Sequence, residues 1–314
     1  MEFRIYPLTD TDRLPELCIL FAKGLGKTLP GEWLWGNFTE NGLPRGIVSV
    51  AEDENGVLRA VFAMQPVVYR RGQEQKILVQ TQGLVIDPAC RGQGLMRKVF
   101  QYNADYFRNQ GAEALTSFSC NELSYPIFMK YGAKDLGALQ GIATKKRLLP
   151  RPHRHRWARN GWEVQISEEM PTDLFFLPGE ATFKMEKNLR FMQWKFTENP
   201  NQRYQWLTIR RDGVLEGYCV FYVNQGRLRS AVNICDWELQ PTLSHEIIKK
   251  AVEILRSLGN YVTLWGVQSE SDGLRWQQAG FTMPNAVGDR FVYFPLTDWQ
   301  PPADWSITKA DSDN

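Results

Sequence analysis

The chain contains 314 residues, 43% of them hydrophobic and 12% aromatic, which is enough apolar material for two packed domains and argues against intrinsic disorder. Its formal net charge of +2 is too close to zero to predict binding to nucleic acid or to a membrane surface through bulk electrostatics. The five scattered cysteines lack the spacing of metal ligands, and no leader or membrane-spanning run is visible, so we expect a reduced, cytoplasmic protein without metal.

The first predicted elements are an aromatic-rich helix and a β-hairpin. The helix passes through residues 33–35 and leads into Phe-Thr-Glu-Asn at 38–41. Two apolar runs, 47–50 and 60–63, flank Asn55-Gly56. An Asn-Gly pair between apolar runs is a strong signal for a hairpin turn, so these runs predict two antiparallel strands.

The most informative segment joins an apolar strand to a helix through a glycine-bearing loop. Residues 84–86 predict the strand, Pro88 ends it because proline has no N–H for a ladder, and the loop covers 91–96. Gly92 and Gly94 let the backbone approach a ligand closely, and the first amides of a helix have no internal acceptors. Together with the helix dipole, these amides predict a site for an anion, most simply a pyrophosphate.

The residues after the loop exclude two other kinds of phosphate site. A P-loop ends in Gly-Lys-Ser/Thr, whereas Gly94 is followed by Leu95 and Met96. The dinucleotide fingerprint needs a third glycine where this chain has Arg97. A cation such as Arg97 in the first helical turn is unfavourable beside the positive end of the helix dipole. A phosphate bound at that end would make the same cation favourable.

Downstream of the loop, a helical pattern, a short strand at 114–118 and a second helix from Asn121 to Gly132 follow in order. In this order and spacing the first half of the chain resembles the GNAT acyltransferase superfamily. Residues 91–94 match that family's Q/R-x-x-G-x-G/A pyrophosphate loop, with Met96 at the last position instead of glycine or alanine.

The resemblance implies an α/β fold and acetyl-CoA, or another acyl-CoA, as co-substrate. It also implies that the pantetheine arm pairs with the strand before the loop like an added strand, so that a backbone N–H polarises the thioester carbonyl. The residues that it implies for cofactor binding are Leu84, Val85, Ile86, Arg91, Gly92, Gln93, Gly94, Leu95, Met96, Arg97, Asn121 and Phe128.

Acyl transfer to an amine needs a neutral amine and a proton for the departing thiolate. Phe128 stands where members of the GNAT superfamily often carry a tyrosine acid, so Tyr125, three residues earlier on the same helical face, is the predicted acid, with Tyr131 as the other phenol. The alternative for both tyrosines is that they only pack against neighbouring residues. Glu122 is the predicted base, the alternative being that it only occupies the helix start, and the carboxylates at 52–53 are expected to be solvated.

The second half of the chain repeats landmarks of the first half. Phe-Thr-Glu-Asn recurs at 196–199, and the spacing from Gly111 to Gly132 recurs from Gly259 to Gly280. The second copy has no Gly-x-Gly before its corresponding helix, so it is predicted to lack a CoA site.

From these landmarks we predict two GNAT-like domains in tandem, each with a mixed, mostly antiparallel sheet flanked by helices. The predicted boundaries are a CoA-binding GNAT-like domain at 1–148, a basic linker at 149–160, a degenerate GNAT-like domain lacking the pyrophosphate loop at 161–298, and a flexible tail at 299–314.

The predicted function is acyl-CoA-dependent transfer, with acetyl favoured, to a primary amine of a small molecule such as an amino sugar. The amino sugar rests on analogy with tandem relatives. Two alternatives remain, a non-catalytic acyl-CoA-binding regulatory module and a protein or peptide N-acetyltransferase. The sequence leaves the acyl length and oligomerisation open.

Overall fold

The computed structural model describes residues 2–9, 11–120, 122, 124–146, 152–179, 182–226, 230–266, 269–282 and 285–311. The chain forms two compact units, each assembled from three segments. Unit 1 consists of Met1–Tyr69, Gln75–Gly137 and Asp289–Pro301, and unit 2 of Arg70–Glu74, Ala138–Gly288 and Pro302–Asn314.

The strands, in chain order, are β1 (Arg4–Leu8), β2 (Ile47–Glu52), β3 (Leu58–Arg71), β4 (Glu74–Ile86), β5 (Ala114–Cys120), β6 (Lys134–Ala143), β7 (Arg156–Arg159), β8 (Trp162–Ser167), β9 (Phe183–Met185), β10 (Gln205–Arg211), β11 (Val214–Gln225), β12 (Ser230–Leu239), β13 (Tyr261–Gly266), β14 (Asn285–Pro295) and β15 (Trp305–Ser306). The helices are α1 (Leu14–Leu25), α2 (Gly31–Phe38), α3 (Leu95–Asn109), α4 (Tyr125–Lys130), α5 (Leu189–Met192), α6 (His245–Leu258) and α7 (Glu270–Gln278). Tighter single turns occur at Pro88–Cys90 and Lys309–Asp311, and a wider turn, Gln193–Thr197, continues α5.

Unit 1 has a sheet in the order β1-β2-β3-β4-β5-β14. β1 with β2, β2 with β3 and β5 with β14 pair antiparallel, whereas β4 and β5 pair in parallel. The predicted hairpin is therefore confirmed as β2 and β3. The mixed, mostly antiparallel sheet agrees with the predicted fold class.

The core of unit 1 lies on both faces of its sheet, because successive strand residues point to opposite sides. On β3, Val61 packs in a cluster with α1 and α2, and Phe62 packs in a cluster with α3 and α4. α3 follows a helical period, since Leu95, Val99 and Phe107 are buried along one face.

Unit 2 has a sheet in the order β6-β13-β12-β11-β10-β8-β7. β12 and β13 pair in parallel, and the other neighbours pair antiparallel. Its core contains the apolar faces of α6 and α7, with Trp276 fully buried. Each unit is thus a helix-flanked sheet that contains a parallel pair, and in unit 2 the short strands β9 and β15 form a second parallel pair.

The two chain ends differ from their predicted states. Residues 156–159 of the predicted linker form β7, and the tail is folded as far as Asp311, so the prediction of a flexible tail is wrong for 299–311. The polar composition was misleading because Trp305 and Ile307 are buried at 4% and 0% exposure. Residues 147–151 and 312–314 lie outside the described residues.

The compact units are also not continuous in sequence. β14, from the C-terminal half, pairs with β5 inside unit 1, and residues 140–143 of β6 pair with β13 inside unit 2. The predicted boundary at residue 148 therefore does not coincide with the limits of the units. Among the described helices, none combines the length and apolarity needed to cross a bilayer.

Candidate active site

The parallel strands of unit 1 separate before they reach the glycine loop. The ladder between them covers only 78–80 of β4 and 114–116 of β5, whereas on its other side β5 pairs with β14 from residue 114 to residue 120. Among the described residues, 81–86 of β4 therefore have no ladder partner on the side of β5. This leaves a strand edge open at the position where the pantetheine arm was predicted to pair.

The open part of β4 carries a backbone kink that α2 holds in place. Gly83 has φ +96°, a left-handed value that disfavours any other residue. A Cβ at this position would lie 3.1 Å from Nε1 of Trp33. The same Nε1 donates a hydrogen bond of 2.7 Å to the carbonyl oxygen of Gln82. Trp33 thus fixes one backbone carbonyl of β4 and limits residue 83 to glycine.

An ion-pair network fixes the point where β4 enters the loop. Asp87 accepts hydrogen bonds from the amide of Ala89 at 2.9 Å and from Nη1 of Arg59 at 2.7 Å. Nε of Arg59 donates to Asp53 at 2.8 Å. Burial would raise the pKa of Asp87, but the Ala89 amide and the Arg59 guanidinium lower it, and Arg59 also lowers the pKa of Asp53. Asp53 is therefore a buried, paired carboxylate, so its predicted solvation is wrong.

The loop leaves a set of backbone amides without acceptors. The N–H groups of Gly92, Gly94, Leu95, Met96 and Arg97 have no acceptor among the described residues. We call these five N–H groups the amide cradle. Gly92 and Gly94 have φ +78° and +77°, and a Cβ at either would meet nothing within 4 Å. The two glycines are exposed, and the cradle lies at the positive end of α3.

Most side chains of the loop contact other parts of the protein and not the site where a ligand would bind. Nη2 of Arg91 donates to the carbonyl of Gly24 at 2.8 Å, and Nε2 of Gln93 donates to the carbonyl of Ala89 at 2.8 Å. Leu95 is buried in the core, whereas Arg97 is exposed. Most of the predicted loop residues can therefore act on a ligand through their main chain, and Arg97 can also act through its charge.

The strand residues before the loop alternate between two clusters. Val85 is buried with α1 and α2, and a Cβ on Gly24 would approach it to 2.4 Å. Leu84 and Ile86 are partly buried beside the cluster of α3. Because all three side chains pack against the protein, their backbone is the part that faces the open edge.

Tyr125, the predicted acid, is held by charged neighbours in unit 1. Its hydroxyl donates to Oδ2 of Asp135 at 2.8 Å, and Arg290 forms an ion pair with the same carboxylate. The guanidinium of Arg290 also lies 5.4 Å from the centroid of the Tyr125 ring. The hydrogen bond to Asp135 raises the pKa of Tyr125. The phenol therefore stays protonated, and it must leave Asp135 before it can donate elsewhere.

The other predicted residues of this helix lie in different surroundings. Phe128 is buried against Phe100, with ring centroids 6.2 Å apart, and Glu122 is exposed. Burial raises the pKa of the Cys120 thiol, which keeps it a poor nucleophile. Asn121 lies outside the described residues.

Sequence reasoning missed the partners that hold these groups. Asp87 precedes a proline, and an aspartate there commonly caps a turn, so its role had a local signal. Arg59, Asp135 and Arg290 had none, because each meets its partner across a distance in sequence that no motif spans. Among the described residues, no group of three or more His, Cys, Asp or Glu is placed to hold a metal ion.

The corresponding segment of unit 2 has different chemistry. Its loop, between β12 and α6, is bound by Arg275, whose guanidinium donates to the carbonyls of Leu239, Gln240 and Leu243 at 3.3, 2.7 and 3.3 Å. This loop therefore presents carbonyl groups to a cation of the protein, whereas the loop of unit 1 presents free amides.

Comparison with known proteins identifies the fold. No protein-family model and no curated protein matches the chain. A GCN5-related N-acetyltransferase from Anabaena variabilis matches with a TM-score of 0.64 and 13% identity, over 94% of this chain and 73% of the other. A tandem GNAT protein from the clavulanic acid biosynthesis pathway matches with a TM-score of 0.52 and 10% identity, over 95% and 100%.

A third similar structure is that of a glucosamine N-acetyltransferase region. It is the GCN5-related glucosamine N-acetyltransferase region of a fungal multi-domain GH3 β-N-acetylglucosaminidase, with a TM-score of 0.58 and 11% identity, over 93% of this chain and 38% of the other. At these identities the similarity establishes the fold. The chain has the tandem GNAT fold that the sequence predicted.

Proposed function

We propose that unit 1 transfers an acyl group, most simply acetyl, from CoA to a primary amine of a small molecule such as an amino sugar. The observation that carries this proposal is the amide cradle at the end of the open strand edge of β4. The five N–H groups of the cradle have no acceptor among the described residues and lie at or just before the N-terminus of α3, which suits a diphosphate, and Arg97 adds an exposed positive charge beside them. The GNAT fold supports an acyl-CoA as the carrier of that diphosphate.

The open edge of β4 suits the pantetheine arm. Amide groups of the arm would pair with the backbone of residues 81–86 as an added strand, and the left-handed Gly83 changes the direction of the strand there. A main-chain N–H near 84–86 would then donate to the thioester oxygen and stabilise the tetrahedral intermediate. The side chains of Leu84, Val85 and Ile86 contribute packing only.

The reaction itself is a nucleophilic acyl substitution. The neutral amine attacks the thioester carbonyl carbon, the C–N bond forms and the C–S bond breaks. The nitrogen releases one proton to the base and the thiolate takes up one proton from the acid, which gives the amide and CoA. We assign the base to the exposed Glu122 and the acid to Tyr125, whose phenol is protonated. Because a thiol has a pKa of about 8.5, a nearby acid is helpful but not essential at neutral pH.

We propose that unit 2 does not bind CoA. Its loop carbonyls are already bound by Arg275, and Glu238 adds negative charge at the end of β12. Since none of the five cysteines is in a disulfide, the proposed location is the cytoplasm, where thiols stay reduced.

One observation favours a second candidate, a non-catalytic acyl-CoA-binding module. Phe128 is buried where a phenolic acid is common in the superfamily, and Tyr125 is bound to Asp135. Such a module would bind acyl-CoA through the same amide cradle but would release no thiol with any amine.

The test compares two glycines at opposite ends of α3. Gly94 and Gly111 both have a left-handed φ, +77° and +79°, and both have open space where a side chain would go. Aspartate therefore strains the backbone equally at each position. Gly94→Asp, which adds a carboxylate to the amide cradle, is expected to abolish CoA binding by titration calorimetry, whereas Gly111→Asp retains it.

Turnover is then measured as thiol release from acetyl-CoA over a panel of amino sugars, simple amines and peptides. Release with small amines supports the proposal, binding without release supports the module, and release with peptides alone supports the protein or peptide acceptor. Equal CoA affinity of the two aspartate variants would show that the diphosphate is not held by the amide cradle.

A further inference from the structure

The parallel pair of unit 2 resembles that of unit 1, and its ladder is one pair longer, with Ile234 opposite Leu264. Leu78 pairs with Ala114 in unit 1, and Ala231 pairs with Tyr261 in unit 2, followed in both by the next two residues of each strand. Counting along the strands from these pairs, residues 84–86 correspond to 237–239. Pro88 likewise corresponds to Pro241. Residues 237–239 therefore occupy the positions at which unit 1 is proposed to hold the pantetheine arm.

In unit 2 the inner part of this region is filled by residues 305–311, which we call the C-terminal segment. The turn Lys309–Asp311 packs against β12 and β13. A Cβ on Gly266 would lie 1.9 Å from the carbonyl oxygen of Ile307. Nζ of Lys187 lies 2.5 Å from Asp236 on β12 and 3.0 Å from Asp311. The C-terminal segment thus packs beside β12 and β13, in the region that corresponds to the proposed arm site of unit 1.

A cavity of about 520 Å³ lies beside the C-terminal segment. It is bounded by the region around β9, the end of β12, α7, Arg70, and residues 306, 308 and 311 of the C-terminal segment. We call it the unit 2 cleft, and the residues that matter below are Phe176, Lys184, Trp237, Glu238, Asp272 and Arg275. A concave site with an apolar wall and a few polar groups is the usual form of a small-molecule site.

The basic side chains of the unit 2 cleft already have partners. Arg70 pairs with Glu186 at 3.2 Å, and Lys184 donates to Oε1 of Glu238 at 2.8 Å. Lys187 is shared by Asp236 and Asp311, and Arg275 donates to three carbonyls, as described above. An anionic ligand would therefore have to compete with these partners.

The acidic side chains, by contrast, keep unused acceptors. Oε2 of Glu238 and the carboxylate of Asp272 accept no hydrogen bond from a described residue, and Asp272 forms no ion pair with one. Burial raises the pKa of the Glu238 carboxyl, and Lys184 acts in the opposite direction. Asp272 lies in the first turn of α7, where its charge complements the helix dipole and where its side chain still has oxygens available to a ligand.

From these contacts we propose that the unit 2 cleft binds a small organic cation that carries a primary ammonium group. The ammonium would donate to Glu238 and Asp272, whose oxygens are the unused acceptors. Its carbon skeleton would lie against Phe176 and Trp237, which offer an aromatic wall suited to apolar groups and to cations. The site belongs to unit 2 and does not depend on the proposed function of unit 1.

The experiment uses three probes with one carbon skeleton and different charge. Cyclohexylmethylamine, cyclohexylmethanol and cyclohexanecarboxylate are titrated into the full-length protein by calorimetry. We expect saturable binding of the amine with one site, and at least tenfold weaker binding of the alcohol and the carboxylate, because only the amine supplies a charge-assisted donor.

Variants then locate the site. Asp272→Asn and Glu238→Gln are each expected to weaken binding of the amine at least tenfold, and thermal unfolding checks that they fold. Because Glu238→Gln leaves Lys184 without its partner, Asp272→Asn, which breaks no ion pair, keeps the test valid if the first variant is unstable. Glu270→Gln is the matched control, since Glu270 is exposed in the same first turn of α7 and does not line the cleft.

Three results would overturn the assignment. They are equal affinity for the amine and the alcohol, an absence of saturable binding, and amine binding that survives both Asp272→Asn and Glu238→Gln. The last result would place the amine elsewhere, for instance at the acceptor position of unit 1. Gly94→Asp separates the two proposals, since it removes CoA binding if the amide cradle holds CoA and leaves the amine titration unchanged.

Discussion

Lys187 offers the sharpest test of how unit 2 holds its C-terminal segment. Its ammonium is shared by Asp236 and Asp311, whose side chains are both only 1% exposed, and it also donates to the hydroxyl of Thr308 at 3.1 Å. Lys187→Met keeps the length and packing of the side chain but removes the ammonium that the two buried carboxylates share. Breaking a buried ion pair from one side costs about 3–5 kcal/mol.

This loss of stability translates into a measurable melting shift. For a body of 150–250 residues, about 1 kcal/mol corresponds to about 2–4 °C, so Lys187→Met is expected to lower Tm by about 10 °C. Thermal unfolding followed by tryptophan fluorescence gives the value. Lys250→Met is the control, because Lys250 and Glu253 form an exposed pair on α6 whose contribution is about 0.5 kcal/mol or less.

The pH dependence gives an independent check of the same mechanism. The carboxylates beside Lys187 raise its pKa above the unfolded value, so its contribution is fully present at pH 7.5 and is lost only in strong alkali. Burial raises the pKa of Asp236 above its unfolded value, so the folded state binds the extra proton as the pH falls. In Lys187→Met the destabilisation should therefore be smaller at pH 5 than at pH 7.5. A Tm loss of the same size at both pH values, or one as small as that of Lys250→Met, would refute the reasoning.

Three further predictions concern the site of unit 1 and the cysteines of both units. Arg59→Met removes the guanidinium that holds Asp87 at the loop entrance, so calorimetry should show CoA affinity at least tenfold weaker, whereas an unchanged affinity would exclude a positioning role for Arg59. Tyr125→Phe is expected to lower kcat by about 100-fold while CoA affinity stays the same, because it removes only the proposed proton donor, and an unaltered kcat would exclude Tyr125 as the acid. A thiol reagent should modify one cysteine of the folded protein, Cys18, and five after denaturation, because the other four are buried, and rapid modification of a second thiol would contradict the described packing.

The amide cradle could be predicted from sequence because all its determinants are local. Pro88, the two loop glycines and the start of α3 follow one another within a few turns of chain, and each acts through its own backbone. The hairpin of β2 and β3 was predictable for the same reason. Features that depend only on neighbouring residues, such as the strand–helix junction, can thus be predicted without knowledge of the fold.

The supporting contacts could not be predicted in the same way. Asp135 meets Arg290 through a pairing of chain segments that lie 155 positions apart. The folded C-terminal segment was missed because Trp305 and Ile307 are isolated among polar residues, and only a cavity of matching shape makes them core residues. Burial of this kind depends on tertiary structure, and no hydrophobic periodicity in the sequence predicts it.

Unit 1 contains a strand, β14, that comes from near the C-terminal end of the chain, and this has a consequence for biosynthesis. As the nascent chain leaves the ribosome, β5 is complete long before its antiparallel neighbour β14 has been translated. At about 5–20 residues per second, β5 waits on the order of ten seconds or more with an unpaired edge. An open strand edge is a template for aggregation, so the growing polypeptide would need a chaperone or fast helix docking to protect it until translation is nearly finished.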